Sequence, residues 1–208
     1  MRAAITAMAL TAAVLATGPG TASPAGATAR TWTVRPGGTV MATAGTTTLK
    51  DTTTNSSLTC QSSKMPSTLN AGSGLLGTGI GSVTAASYRC TSPIAVTHLT
   101  PGGLPWRLSL TSYDARTGVS HGTLSGIRLT LSFVEFQCNA VIGGASATSG
   151  GQMAVSYGNK TGTLKLLATG STLHWYRVHH CAGLVADGDP ASLTASYALT
   201  PKQVITSP

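Results

Sequence analysis

Charge is what this chain has least of. Charged residues make up 9% of its 208 residues, about a third of the usual quarter. Only five are acidic: Asp51, Asp114, Glu135, Asp187 and Asp189. Glycoside hydrolysis commonly needs two carboxyls roughly 5–10 Å apart. The four aspartates sit in turn sequences, where a carboxylate caps nearby backbone N–H groups. Glu135 differs, because it interrupts an apolar stretch between Val134 and Phe136. Burial there would raise its pKa and suit it to act as an acid. An outward position on a bulged strand, or pairing with Arg107 or Arg128, is the plainer use.

Other chemistries lack their signatures. A serine-hydrolase elbow reads G-x-S-x-G, and Gly79-Ile80-Gly81-Ser82-Val83 does not match it. No C-x-x-C occurs, so zinc spacing is missing, and no cofactor motif appears. Lysine and arginine give a net charge of +8, but they are scattered and not interleaved with aromatics. That argues against a nucleic-acid partner and leaves a weak, salt-sensitive attraction for anions.

Long apolar runs are also missing, with one exception. Ala3–Thr17 is alanine-rich, follows Met1-Arg2, and stops at Gly18-Pro19-Gly20. It has the length of a signal-peptide core and is short for a bilayer span. Ala25-Gly26-Ala27 fits a cleavage site, with Thr21-Ala22-Ser23 the weaker choice. The expected organisation is a signal peptide over 1–27 and one secreted domain over 28–208, with no membrane span.

What the chain does have is threonine, serine, glycine and alternation. Trp106, Leu108 and Leu110 fall on one face, with Arg107, Ser109 and Thr111 on the other. Ile127, Leu129, Leu131 and Phe133 repeat the pattern, which is the period-2 mark of half-buried strands. Asp114-Ala115-Arg116-Thr117-Gly118 turns one into the other. The stretch Leu104–Gly144 is therefore read as a long hairpin on which the other strands build. After Phe133 the phase slips, as at a β-bulge or where both faces become buried. Gln61–Gly81 shows no pattern and is expected to be a long loop, functional or mobile. With turn signals at regular spacing and no 3.6-residue period, the fold class is all-β, a single-domain antiparallel sandwich or barrel.

The four cysteines are Cys60, Cys90, Cys138 and Cys181. An even count in an exported chain reads as two disulfides. Of the three pairings, Cys60–Cys90 and Cys138–Cys181 are favoured, because each closes a loop between strands expected to be neighbours.

Two further groups could carry binding. His174 and His180 would share one face of a strand, with His179 opposite, and Asp187 or Asp189 could complete a metal set. A polar strand end leading to Cys181 explains them equally. Trp106 and Trp175, with Trp32, could form a sugar-stacking platform, although core packing is the commoner use of tryptophan. Asn55 and Asn159 match the glycosylation sequon and double as turn asparagines.

Several stretches together resemble a group of small secreted actinobacterial β-rich proteins of unassigned function. They are the alanine-rich leader, Pro36-Gly37-Gly38 after Trp32-Thr33-Val34, Leu104-Pro105-Trp106, the Tyr157…Asn159…Thr161-Gly162-Thr163-Leu164 hairpin, and Cys181-Ala182-Gly183-Leu184 followed by Gly188-Asp189-Pro190-Ala191. The resemblance implies export and a disulfide-bonded β domain, and assigns no functional residue. The expected function is a non-enzymatic extracellular or cell-envelope-associated binding protein. Its partner would be an anionic envelope polymer or another extracellular protein. The alternatives are an envelope-directed hydrolase using Glu135 with a turn aspartate, and a secreted inhibitor or effector acting through Gln61–Gly81.

Overall fold

The computed structural model describes residues 30–91 and 96–208. The leader, its cleavage site and the break at Ser92-Pro93 lie outside the described residues. Within them the chain is all-β. In order the strands are β1 (Thr31–Arg35), β2 (Gly38–Ala44), β3 (Thr47–Asp51), β4 (Ser57–Leu69), β5 (Gly72–Leu76), β6 (Gly81–Val83), β7 (Ser87–Cys90) and β8 (Thr97–Gly102). There follow β9 (Trp106–Asp114), β10 (Val119–Phe133), β11 (Cys138–Gly143), β12 (Gly151–Gly158), β13 (Thr163–Leu166), β14 (Leu173–His179), β15 (Pro190–Thr200) and β16 (Val204–Thr206).

Many of these are halves of longer strands. β2 and β3 keep one register along β4, with Gly38 opposite Leu69 and Lys50 opposite Ser57. They make a single stave broken only at Gly45-Thr46. In the same way β6 and β7 both lie along β4. β8 and β9 lie along one side of β10, and β11 and β12 along its other side. β13 and β14 complete the series against β12, β11 and β15. Counted this way, eight staves run alternately up and down in chain order. The last, β15, pairs back onto β2 and β3. The sheet is thus a closed antiparallel barrel, which leaves no open edge.

The hairpin read from the sequence is at the centre of this ring. β9 and β10 pair from Ser125↔Arg107 to Val119↔Asp114, and the inward residues are the expected Trp106, Leu108, Leu110, Ile127, Leu129 and Leu131. Asp114 Oδ1 accepts from the Arg116 and Thr117 N–H groups and caps the turn. β10 itself bulges at Gly126 against β12, and β9 carries one extra residue, Thr111, opposite His121-Gly122. A Cβ on Gly122 would overlap the Ser109 carbonyl, so the close approach there requires glycine.

Two expectations are corrected. Gln61–Gly81 is not a long loop: its first part is the second half of the 13-residue β4, and Gly72–Leu76 is β5. The phase slip after Phe133 is not a bulge in a continuous strand. β10 ends at Phe133, Val134–Gln137 turn, and β11 returns from Cys138.

The two ends of the barrel differ. One end is capped by a small sheet in the order β16-β1-β5, which buries Trp32, Val34 and Ile205. Gln203 fixes it: its backbone N–H and C=O both bond the Tyr157 hydroxyl, and its Oε1 accepts from Gly37 N. Asn159 bonds both backbone groups of Ile205, and Ser207 donates to the Thr31 carbonyl. Beneath the cap the lumen is filled by Val40, Leu108, Leu124, Leu164 and Leu199, with a void of about 20 Å³, room for a single water. Eight strands enclose a lumen that side chains can just fill.

The outward face of β9 is polar, with Arg107, Ser109 and Thr111. It differs from the apolar band of a lipid-embedded barrel. Among the described residues no helix is long and apolar enough to cross a membrane.

Both disulfides form as paired above, Cys60–Cys90 and Cys138–Cys181. The first links directly opposed residues of β4 and β7. Replacing Cys60 and Cys90 together by alanine should lower the unfolding free energy by about 3–4 kcal/mol, the chain-entropy value for a sequence separation of 30. Urea denaturation reads this directly, and a loss below about 1 kcal/mol would contradict the account.

Candidate functional site

Opposite the cap, the barrel ends in turns. The β3–β4 turn, the β10–β11 turn and the segment 180–189 between β14 and β15 gather there. The last of these lies across the end as a strap. Cys138–Cys181 anchors one side of it, and the Thr54 hydroxyl donates to the Leu184 carbonyl at 2.7 Å on the other. Its return is fixed by backbone bonds to Trp175, which donates to Asp189 O and accepts from Gly188 N.

Under the strap lies a cavity of about 180 Å³. Leu49, Leu58, Leu131, Phe133 and Trp175 form its walls, with Leu184 and Val185 from the strap above. Ser56 and Ser57 contribute its polar rim. Trp175 is 2% exposed, and its indole Nε1–H has no hydrogen-bond partner among the described residues. A buried donor left unpaired costs about 1–3 kcal/mol, so it is an unusual group to retain in an apolar wall. Beside the strap a groove of about 330 Å³ runs between Phe133, Phe136, His180 and Leu184.

The rim of this end is apolar. Val96, Val134, Phe136 and Leu184 are each at least half exposed. Of the other exposed large hydrophobics among the described residues, Leu76 and Val204 belong to the cap and Met41 to the wall.

The residues singled out in the sequence separate on this frame. Trp175 lines the cavity and His180 the adjoining groove. His174 faces a different groove on the wall, among Gly144, Gln152 and Thr172. The expected sharing of a face by His174 and His180 fails, because the β11–β14 pairing bulges before His179 and Arg177 takes φ 52°. Asp187 stabilises that bulge by accepting from Val178 N at 2.9 Å. Among the described residues no three His, Cys, Asp or Glu side chains are placed to hold a metal ion. Glu135 is exposed on the β10–β11 turn, where its carboxylate accepts from Val96 N at 2.7 Å. It therefore lacks the buried environment that the hydrolase reading needs. Trp106 is buried, with its Nε1 donating to Gly102 O, and Trp32 is buried under the cap. The tryptophans form no exposed platform.

The sequence reading missed Leu184 and Val185. Two adjacent apolar residues inside a glycine- and aspartate-rich segment, three positions after a bridged cysteine, were the available signal.

Below the cavity, on the side away from the strap, buried hydroxyls meet from four neighbouring staves. Thr47 and Ser63 lie 2.6 Å apart, and Ser63 donates to the Tyr197 hydroxyl. Tyr88 stands opposite Ser63, and its hydroxyl is buried without a partner in good geometry. Burial, reinforced by the Tyr197 phenol, pushes the Tyr88 pKa well above its ordinary 10.0. Burial raises Tyr197 as well.

Comparison with protein-family models, with curated proteins and with solved structures finds no match.

The two phenols set an alkaline limit. Both stay neutral in the folded barrel to higher pH than in the unfolded chain, which releases these protons near 10.0. Their stabilisation is complete below that value and is lost as pH climbs beyond it. Tyr88→Phe should flatten this fall. Because it deletes an unpaired hydroxyl, it should leave stability at about pH 7 within about 1 kcal/mol of the parent or raise it, whereas Tyr197→Phe should cost about 1 kcal/mol. Denaturant melts at about pH 7 and about pH 10.5 check both statements. A loss above about 2 kcal/mol for Tyr88→Phe at neutral pH would refute the first.

Proposed function

We propose that this chain is an exported, non-enzymatic binding protein that engages an anionic, amphiphilic component of the cell envelope through the open end of its barrel. The observation that carries this reading is the contrast between the ends. One end is sealed by β1, β5 and β16 over a filled lumen, while the other gathers a cavity, a groove and four exposed apolar residues. Exposed apolar side chains grouped on one face mark an interaction site more often than scattered ones do. The net charge, +8 for the full chain and +7 once Arg2 leaves with the leader, supplies the attraction for an anion. Two disulfides fit an oxidising compartment, and the leader over 1–27 provides the route. The exposed, backbone-bonded position of Glu135 gives the hydrolase alternative nothing to build on, and β4 replaces the loop that the inhibitor alternative required.

Retention on isolated cell walls tests this. The parent protein should be retained at about 50 mM salt and released as ionic strength rises. Phe136→Ser with Leu184→Ser should weaken retention about tenfold. Leu76→Ser with Val204→Ser, at the capped end, should leave it unchanged. Equal losses from both pairs, or no retention at low salt, would refute the assignment of the open end.

A further inference from the structure

The cations are scattered along the sequence, but the fold gathers five of them at the capped end. Arg30 precedes β1 and Arg35 ends it, in the middle strand of the cap. Arg116 lies in the β9–β10 turn, Lys160 in the β12–β13 turn, and Lys202 between β15 and β16. All five are exposed. A chain of backbone contacts joins four of their positions. Arg35 pairs with Val204, two residues past Lys202. Lys202 Nζ donates to the Lys160 carbonyl at 2.7 Å. Asn159 N donates to Gly118 O at 3.0 Å, which sets the turn of Lys160 against the turn of Arg116.

The carboxylates are distributed the opposite way. Asp51, Glu135, Asp187 and Asp189 all belong to the turns and the strap of the open end. Asp114 alone stands near the cap, and its carboxylate is taken up by the Thr117 hydroxyl and by the Arg116 and Thr117 N–H groups. Among the described residues the side chains of Arg30, Arg35, Arg116 and Lys160 make no hydrogen bond or ion pair. The barrel is thus polarised along its axis, with unpaired cations at the cap and most carboxylates at the strapped end. Such a separation of charge orients a molecule as it approaches a charged partner. Arg30 and Arg35 are five residues apart on an extended strand, which is about 16 Å. A single small anion cannot touch both, but a chain of repeated charges can.

We propose that the capped end is a docking surface for a linear polyanion with repeated phosphate groups, held by Arg30, Arg35, Arg116, Lys160 and Lys202. The arginine forks pair with phosphate oxygens two at a time, and the lysines act as point charges. Thr33 and Thr206, opposite each other on β1 and β16, add hydroxyl donors between them. No exposed aromatic residue stands at the cap to stack on a base, so the surface reads charge and not sequence. A lipid surface fits less well. The exposed aliphatic residues of the cap, Leu76 and Val204, lie on its opposite edges, β5 and β16, and form no continuous apolar face. The inference goes beyond the envelope reading, which concerns the apolar rim and takes its attraction for an anion from the chain as a whole.

The test uses the full secreted protein and inorganic polyphosphate as the probe. Arg35→Gln, Arg116→Gln and Lys160→Gln together should weaken binding about thirtyfold at about 50 mM salt, a factor of about three for each exposed cation. The slope of log affinity against log salt should fall by about 2. Lys50→Gln, Lys64→Gln and Arg89→Gln together remove the same charge from the wall strands β3, β4 and β7, and should weaken binding by no more than about threefold. Equal losses from the two sets would assign the attraction to net charge and overturn the surface. If the cap set does not fold, Arg30→Gln with Arg35→Gln makes the same comparison against Lys50→Gln with Lys64→Gln, with a loss of about tenfold expected. Tighter binding to vesicles of phosphatidylglycerol and phosphatidylcholine than to polyphosphate, lost in the same cap variant, would overturn the polymer as partner. Phe136→Ser with Leu184→Ser should leave polyphosphate binding unchanged, and a loss there would overturn the assignment to the cap. Retention on cell walls through the rim without polyphosphate binding removes this inference alone, and the reverse result removes only the envelope reading.

Discussion

Everything in this molecule depends on β15 pairing back to β2 and β3. Ala198, Leu199 and Thr200 meet Thr43, Ala42 and Met41, while Ala191 to Ala195 meet Asp51 to Thr47. The two registers differ by one residue across Gly45-Thr46. That break lets one stave follow the curvature of the wall without giving up its bonds. Closure then fixes which side chains face inward and at what spacing. It also joins staves that are distant in the chain, so that Leu49 and Trp175 can share one cavity.

With the lumen packed, function can reside only at the ends or on the wall. The cap closes one end of the lumen: Trp32 and Val34 are buried, and Gln203 and Asn159 tie β16 down over the Tyr157 hydroxyl and the β12–β13 turn. At the other end the strap is held at both sides rather than through its length. Cys181 is bridged and Thr54 grips Leu184, yet Leu184 itself remains half exposed. The arrangement fixes the position of the strap and leaves its apolar side chain free to meet something else.

The alternation of β9 and β10, their turn and both disulfides were legible because each rests on local spacing or on neighbours in the chain. Closure was not, because no local pattern records which strand meets the last one. Gln61–Leu69 was hidden for a physical reason. Its inward positions include Ser63, whose hydroxyl is satisfied inside the barrel by Thr47 and Tyr197, and a bulge between Cys60 and Ser62 shifts the phase. Polar inward residues and a phase shift together erase an alternating pattern. The error at Val134-Glu135-Phe136 was the converse. Those apolar residues suggested a buried strand, but they are exposed on a turn, and that exposure makes them part of the rim. Trp175 was legible as a tryptophan in a strand. Its unpaired indole was not, since that depends on what surrounds it in three dimensions.

The hydrogen bond from Ser207 to the Thr31 carbonyl brings the first and last strands of the described chain side by side in the cap. Both run on the far side of the molecule from the cavity. A tether, a tag or a solid support joined beside Thr31 or Ser207 would therefore hold the barrel upright with its strapped end facing outward. Immobilisation through this capped end leaves the cavity and its rim accessible to a ligand in solution.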